Sequence, residues 1–360
     1  MSALVVGENV LASLGRQMRR HQLAGTAFVI SDANVHRLYG TALRQAVEEA
    51  GYRVCEYQVP PGESSKCIEQ AWNIYGWLID QRAERQDTIV TLGGGVVGDL
   101  AGFVAATYLR GLALVQVPTS LLAQVDSSVG GKVAINHPKG KNLIGAFHQP
   151  RLVLVDTALL ASLPPRELRS GWAEVVKTAF ILDRELVSFL EGHVESLCQA
   201  EPRLTARAVE RCLQLKTTVV AADEREQGQR IILNYGHTFA HGLEAATGYE
   251  RFLHGEAVAI GMVGAALLSQ RLGLLPEEVA WRQRSLLQRF GLPLRAPGVD
   301  PAAVLKAMSV DKKARDKALR WVLLRDVQDV RVVSDVFPGL VHEVLDALVR
   351  EETSDGSQAG

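Results

Sequence analysis

The chain has 360 residues, 47% hydrophobic and 22% charged, a globular composition with enough length for about two domains. Lys plus Arg number 39 against 40 Asp plus Glu, so the net charge is −1, and no nucleic-acid or membrane-surface partner is implied by that balance. The longest apolar run, Ala257 to Leu268, falls short of a membrane span. Cys55, Cys67, Cys198 and Cys212 show no C-x-x-C spacing, which argues against a disulfide frame or a zinc knuckle. Met1 to Glu8 lack a basic stretch followed by an apolar one, so a cytoplasmic location is expected.

Up to about Asp156, short β-rich runs alternate with helical stretches. Strands are predicted at Ala27–Ile30, Arg53–Tyr57, Thr88–Leu92, Ala113–Val117 and Leu152–Val155. Turn signals follow four of them: Ser31-Asp32, Pro60-Pro61-Gly62, the run from Gly93, and Pro118. This alternation predicts a mainly parallel sheet covered by helices, with ligands at the carboxyl ends of the strands. After Pro164-Pro165 the texture turns helical, with Arg166–Ile181, Arg203–Asp223, Phe239–Thr247, Glu256–Arg271 and Pro276–Phe290. A short β-like pair, Trp321–Leu324 and Val330–Val333, interrupts that half. The expected organisation is an α/β nucleotide-binding domain over 1–163, a mainly α-helical domain over 164–351, and a flexible polar tail over 352–360.

The strand at Thr88–Leu92 runs into Gly93-Gly94-Gly95-Val96-Val97-Gly98-Asp99, which satisfies G-x-G-x-x-G at Gly93, Gly95 and Gly98. Glycines there let backbone N–H groups approach a phosphate at a helix N-terminus. The acidic ribose partner usual about 20 residues downstream is missing, so the motif alone is weak. Its company strengthens it. Gly130-Gly131 precede Lys132, Lys139 and Lys141 in a loop-like stretch that also carries Asn136 and Asn142, which suits an anion site. In the helical half, His237 and His241 lie four apart on one predicted helix face, a spacing that suits a metal pair, although Thr238 stands where metalloproteases carry a glutamate. These histidines also suit a plain polar helix start. A third pairing takes His237 and His254 with Glu174, an acid among apolar residues whose burial without a partner would be costly. Spacing leaves all three open.

Together these residues resemble one family, 3-dehydroquinate synthase, over most of the chain from Ser31 to Lys313. The densest stretches are Gly93–Asp99, Gln116–Pro150, Ala173–Lys177 and Asn234–Met262. The resemblance implies a dehydroquinate synthase-like fold: an α/β N-terminal nucleotide-binding domain followed by a mainly α-helical domain. It implies a zinc (or cobalt) ion on Glu174, His237 and His254, which makes His241 a substrate-side residue. It implies NAD held by Asp32, Asn34, Glu63, Lys66, Gly95, Val96, Val97, Gly98, Asp99, Thr119, Ser120, Lys132, Lys141, Leu159, Leu160, Ala161 and Ser162. The substrate-side residues it implies are Arg110, Asp126, Lys132, Asn142, Lys177, Lys216, Glu226, Arg230, Asn234, His241 and one of Lys312 or Lys313.

The implied reaction converts 3-deoxy-D-arabino-heptulosonate 7-phosphate into 3-dehydroquinate with loss of phosphate, in a homodimer where Arg110 reaches the partner's site. Departures are few. Ser120 and Ser162 stand where threonines are usual and keep the hydroxyl, while Thr178-Ala179 replace an aromatic residue and glycine. Two rival activities are weighed, a metal-dependent polyol dehydrogenase and a sister cyclase acting on a neutral heptulose phosphate. Arg230, Lys216 and Lys132 argue against the dehydrogenase, and the acid-binding pattern of Arg230, Asn234 and His241 argues against the sister cyclase.

Overall fold

The computed structural model describes residues 2–315 and 319–350, with the backbone alone for 309–315. The chain divides into two compact units, residues 1–171 with 196–230, and residues 172–195 with 231–360. This differs from the single cut expected after residue 163. Helix Pro202–Ala222 packs against the turn Ala123–Ser127 and against the first strand, so it belongs with the α/β unit. Its start is fixed locally: the Glu201 carboxylate accepts from the N–H groups of Arg203 and Leu204, and Pro202 occupies the first turn.

The first unit is built on strands β1 (Ala3–Gly7), β2 (Ala27–Asp32), β3 (Val54–Val59), β4 (Thr88–Gly93) and β5 (Ala113–Pro118), with a hairpin of β6 (Lys132–His137) and β7 (Gly140–Phe147), then β8 (Leu152–Asp156). Six of them form a parallel sheet in the order β1-β8-β5-β4-β2-β3. All five predicted strands are present, extended by a residue or two. The inner strands β4 and β8 are buried throughout, which is why they read as continuous apolar runs. Along β2 successive side chains enter opposite cores. Phe28 and Ile30 pack with Ile89, Leu100 and Phe103, whereas Val29 packs with Leu14, Leu43 and Val115. The edge strand β1 escaped the sequence reading because it is short and only partly buried.

The stretch read as a loop around Lys132 to Asn142 is a β-hairpin instead. β6 and β7 pair antiparallel, with an irregularity between Ile135 and His137. Its driving force is Val133 and Ile135, which join the core beside the helix Gly95–Thr107. Gly102 of that helix leaves the room, since a Cβ there would lie 2.4 Å from Val133.

The second unit contains helices Arg184–Cys198, His237–Ala246, His254–Arg271, Glu277–Arg289, Pro301–Arg315 and Pro338–Val349, and the hairpin β9 (Trp321–Asp326) with β10 (Asp329–Val333). The first, fifth and sixth of these helices were not predicted from the sequence. Helix His254–Arg271 is buried on nearly every side, which accounts for its apolar run. Gly261 lets it cross close to the chain at Gly236, because a Cβ there would sit 2.1 Å from the Gly236 carbonyl oxygen. Gly236 itself has φ 79° and starts the helix that opens with His237. Among the described residues no helix is long and apolar enough to cross a membrane. The expected tail at 352–360 lies outside the described residues.

Candidate functional site

In the second unit Glu174, His237 and His254 each present a ligand atom, all within 4.8 Å of one another. The structure thus brings together the residues of the Glu174, His237 and His254 reading. Glu174 is buried in helix Pro165–Leu182, and neither carboxylate oxygen has a hydrogen-bond partner of good geometry in the protein. Nε2 of His237 and Nε2 of His254 lie 3.6 and 3.5 Å from Oε1 of Glu174. Lys177, one turn on, ion-pairs with Oε2. Nδ1 of His237 is 3.1 Å from the Tyr235 carbonyl oxygen, which can only accept, so Nδ1 carries the proton and Nε2 offers its lone pair. Nδ1 of His254 faces the Glu244 carboxylate at 3.3 Å and so carries a proton; although burial opposes it, hydrogen bonds with Glu174 and Glu244 raise this imidazole to about 10.

Burial alone would raise the Glu174 carboxyl, but the Lys177 ammonium and the two imidazoles outweigh it and hold the group well below the usual carboxylate range. Burial, with the Lys177 charge, lowers His237 to about 3, so this imidazole is neutral. An ionised carboxylate buried this deeply is expensive, and Lys177 meets only its Oε2 side, leaving Oε1 facing the two imidazoles. Two imidazoles and one carboxylate are the donor set of an open catalytic zinc site, so these residues fit a divalent metal. His241, paired with His237 in the simplest helix-face reading, is exposed and stands outside the cluster, although its ring lies 5.4 Å from that of His237. Asn234 ends the helical turn Gln229–Asn234 and is half-buried.

The first unit gathers the cations. Lys66 is buried and donates to Asp99 and to the Asn142 side-chain oxygen. Asn142 N–H in turn donates to Asn136 Oδ1 at 3.0 Å, and Asn136 Nδ2 donates to Glu63 at 2.7 Å. Burial pushes the Asp99 carboxyl up despite the pull of Lys66. Lys216, also buried, donates to both the backbone and side-chain oxygens of Asp126, at 2.6 and 2.7 Å. Lys132 ion-pairs with Glu226.

Arg230 is buried, and its guanidinium is anchored on two backbone carbonyls, those of Glu224 (2.5 Å) and Gly130 (3.2 Å). Gly130 and Gly131 have φ of 105° and 69°, and a Cβ on Gly130 would stand 2.4 Å from Arg230 Nη2. The glycine pair read as a phosphate cradle therefore has a second task, seating the arginine.

Gly95 to Asp99 form the first turns of helix Gly95–Thr107, directly after β4. None of Gly93, Gly94, Gly95 or Gly98 adopts a left-handed φ. What they supply is clearance, since Cβ atoms at Gly95 and Gly98 would meet Ser127 Oγ at 3.2 Å and Gln116 at 3.0 Å. Asp32 caps the turn after β2 by accepting from Asn34 and Val35 N–H. Thr119 is buried after β5, Ser120 Oγ accepts from Ala123 N–H, and Lys141 lies half-buried on β7. Leu159 to Ser162 form the turn after β8, where Tyr39 OH donates to the Leu159 carbonyl and lies 2.6 Å from Ser162 Oγ. Arg110 is exposed with φ 69°. Lys312 and Lys313 run in helix Pro301–Arg315, but their side chains lie outside the described residues.

Three structural supports went unread in the sequence. Asp156 accepts from the N–H groups of Asn9, Leu11 and Ala158, and fully buried Gln124 donates to the Pro118 and Asp156 carbonyls. Glu244 is the third. The available signal was a polar residue inside an apolar stretch, Ala123-Gln124-Val125 and Leu243-Glu244-Ala245.

Family models described as 3-dehydroquinate synthase N-terminal and C-terminal match residues 56–170 and 171–314. A 3-dehydroquinate synthase of Symbiobacterium thermophilum is 48% identical over 351 residues, covering 96% of this chain and 98% of that protein. Among solved structures, a 2-epi-5-epi-valiolone synthase from Streptomyces hygroscopicus with NAD+ and Zn2+ bound superposes with a TM-score of 0.89 at 28% identity, covering 97% of this chain and 96% of that one. A 2-deoxy-scyllo-inosose synthase in complex with carbaglucose-6-phosphate, NAD+ and Co2+ gives 0.87 at 30% identity, with 96% of each chain covered.

Proposed function

The chain belongs to the 3-dehydroquinate synthase family, and from that premise we propose a role for each group of its site residues. It is a lyase that converts 3-deoxy-D-arabino-heptulosonate 7-phosphate into 3-dehydroquinate and phosphate, a step of the shikimate pathway. Its cofactors are NAD and a divalent metal, zinc or cobalt. When bound, NAD supplies a hydride acceptor that gives the hydride back, and the metal supplies Lewis acidity at the substrate hydroxyl that is oxidised.

Glu174, His237 and His254 hold the metal. Lys177 balances the charge of Glu174 from the side of Oε2. NAD lies along the carboxyl ends of the strands, on Asp32, Asn34, Glu63, Lys66, the Gly95–Asp99 turn, Thr119, Ser120, Lys132, Lys141 and the Leu159–Ser162 turn. Arg230, anchored through two of its N–H groups, presents its remaining donors to the substrate carboxylate. Lys132, His241 and the Lys312/Lys313 pair hold the phosphate, and Asn142 and Asn234 bind substrate oxygens. Asp126, Glu226 and His241 move protons during ring opening and reclosure. The first unit thus carries the NAD residues together with Arg230, Lys132, Asn142, Asp126 and Glu226, and the second unit carries the metal ligands and His241. The enzyme works in the cytoplasm as a homodimer in which Arg110 serves the neighbouring site.

The observation that carries this reading is the buried Glu174 carboxylate, whose Oε1 faces two converging imidazoles while Lys177 ion-pairs with Oε2. Release of inorganic phosphate from the heptulosonate phosphate, abolished by a chelator and restored by zinc, tests it. Accumulation of NADH with simple polyols, and no phosphate release, would instead favour the dehydrogenase.

A further inference from the structure

We propose that Glu244 is a positioning residue for the metal: its buried carboxylate holds the Nδ1–H of His254 and thereby aims Nε2 of that ring at Glu174. The inference rests on the metal site proposed above and extends it to a residue that does not touch the metal. Glu244 is only 4% exposed, and its Oε1 lies 3.3 Å from His254 Nδ1. It sits on helix His237–Ala246, seven residues after His237, hence two turns along and on the same face. One helix therefore supplies a ligand and also the support for a ligand on the next helix.

The backbone makes that link stiff. The Glu244 carbonyl accepts from Tyr249 N–H at 2.8 Å, closing the turn that leads toward His254, with Gly248 and Tyr249 at φ of 65° and 62°. The two histidines need different support. His237 is held by a neutral backbone carbonyl. His254 is the first residue of helix His254–Arg271, where the helix field disfavours positive charge and weakens an imidazole as a donor toward a cation. A carboxylate behind the ring offsets that field, orients the ring and raises its basicity, which a neutral acceptor does less well.

The test uses the full chain stripped of metal. Zn2+ is titrated in competition with a chromophoric chelator, and the visible spectrum of the Co2+ form is recorded. Relative to the parent, Glu244→Gln, which keeps the size and one acceptor oxygen, should weaken Zn2+ about 10-fold, and Glu244→Leu about 10- to 100-fold. The Co2+ bands should shift in the leucine variant, while NAD+ affinity and far-UV circular dichroism stay at parent values. Should Glu244→Leu fail to fold, the isosteric glutamine variant decides. Parent-like Zn2+ affinity and an unchanged Co2+ spectrum in a folded variant overturn the role of Glu244 and leave the metal site standing. A parent that binds no stoichiometric Zn2+, or a His254→Ala variant that binds it normally, overturns the metal site and this inference together.

Discussion

Glu174 and Asp126 are both carboxylates beside a lysine, yet their surroundings differ in kind. Asp126 accepts from Lys216 at one carboxylate oxygen and at its backbone carbonyl, both within the first unit. Glu174 has Lys177 as a counter-ion at Oε2, and two imidazoles converge on its Oε1. The same contrast extends to the neighbours. Lys66, Lys132 and Arg230 each meet an oxygen of their own unit, at Asp99, Glu226 and the carbonyls of Gly130 and Glu224. A cation that already has a protein partner must exchange it, or add to it, when an anionic ligand arrives, which favours a selective and reversible grip. Donors held apart without hydrogen bonds are pre-organised for one kind of guest, a cation, and need little rearrangement.

That contrast can be broken most decisively at the metal. His254→Ala should abolish both stoichiometric metal and turnover while the α/β unit keeps binding NAD+, and full zinc occupancy by metal analysis would remove His254 from the ligand set. His241→Ala separates the two roles: zinc stays bound, and turnover drops by about 10²–10⁴-fold if the residue handles a proton. Loss of zinc in that variant would revive the helix-face pair.

The cation side predicts smaller effects. Arg230→Lys keeps the charge but cannot serve a carboxylate through two parallel bonds, so kcat/KM for the heptulosonate phosphate should fall about 10- to 150-fold, or about 1.5–3 kcal/mol, with NAD+ binding unchanged. Parent-like phosphate release at limiting substrate would sink the clamp and reopen the neutral-sugar cyclase. Gly130→Ala places a Cβ against Arg230 Nη2 at φ 105°, and should lower stability by about 1–3 kcal/mol in denaturant unfolding. Combined with Arg230→Lys it should cost less than the sum of the two, because both act on one contact. Additive losses would mean that the glycine serves its turn alone. Least of all, Glu226→Gln removes the partner of the half-exposed Lys132, and should change unfolding free energy by no more than about 1 kcal/mol. A larger loss would show that the pair is structural, contrary to its proposed place in proton transfer.

The parallel sheet was legible because buried parallel strands are continuous apolar runs closed by turn residues, as at Thr88–Gly93 and Leu152–Asp156. The hairpin was not, since β7 is mostly exposed and three lysines hide the buried Val133 and Ile135 of β6. At the metal site, spacing saw His237 and His241, which are near in sequence and on one helix. It could not rank Glu174, which stands some sixty residues upstream and reaches the histidines only through tertiary packing. Glu244 and Gln124 were visible as letters but not as roles, because a single polar residue in an apolar run signals burial without naming its partner. The resemblance to a family supplied what spacing could not, and the geometry of Glu174, His237 and His254 agrees with it.

The return of helix Pro202–Ala222 to the α/β unit bears on how the protein is made. Synthesis is vectorial, and an N-terminal unit often folds while the rest is still being translated. Here the ribosome must deliver residues up to 230, including the excursion through 172–195, before the first unit has all of its parts. A gene split at residue 171, where the two family models meet, would leave Ala123–Ser127 without the helix that carries Lys216. The two sequence families therefore mark neighbouring stretches of chain, not two modules that can be shuffled apart.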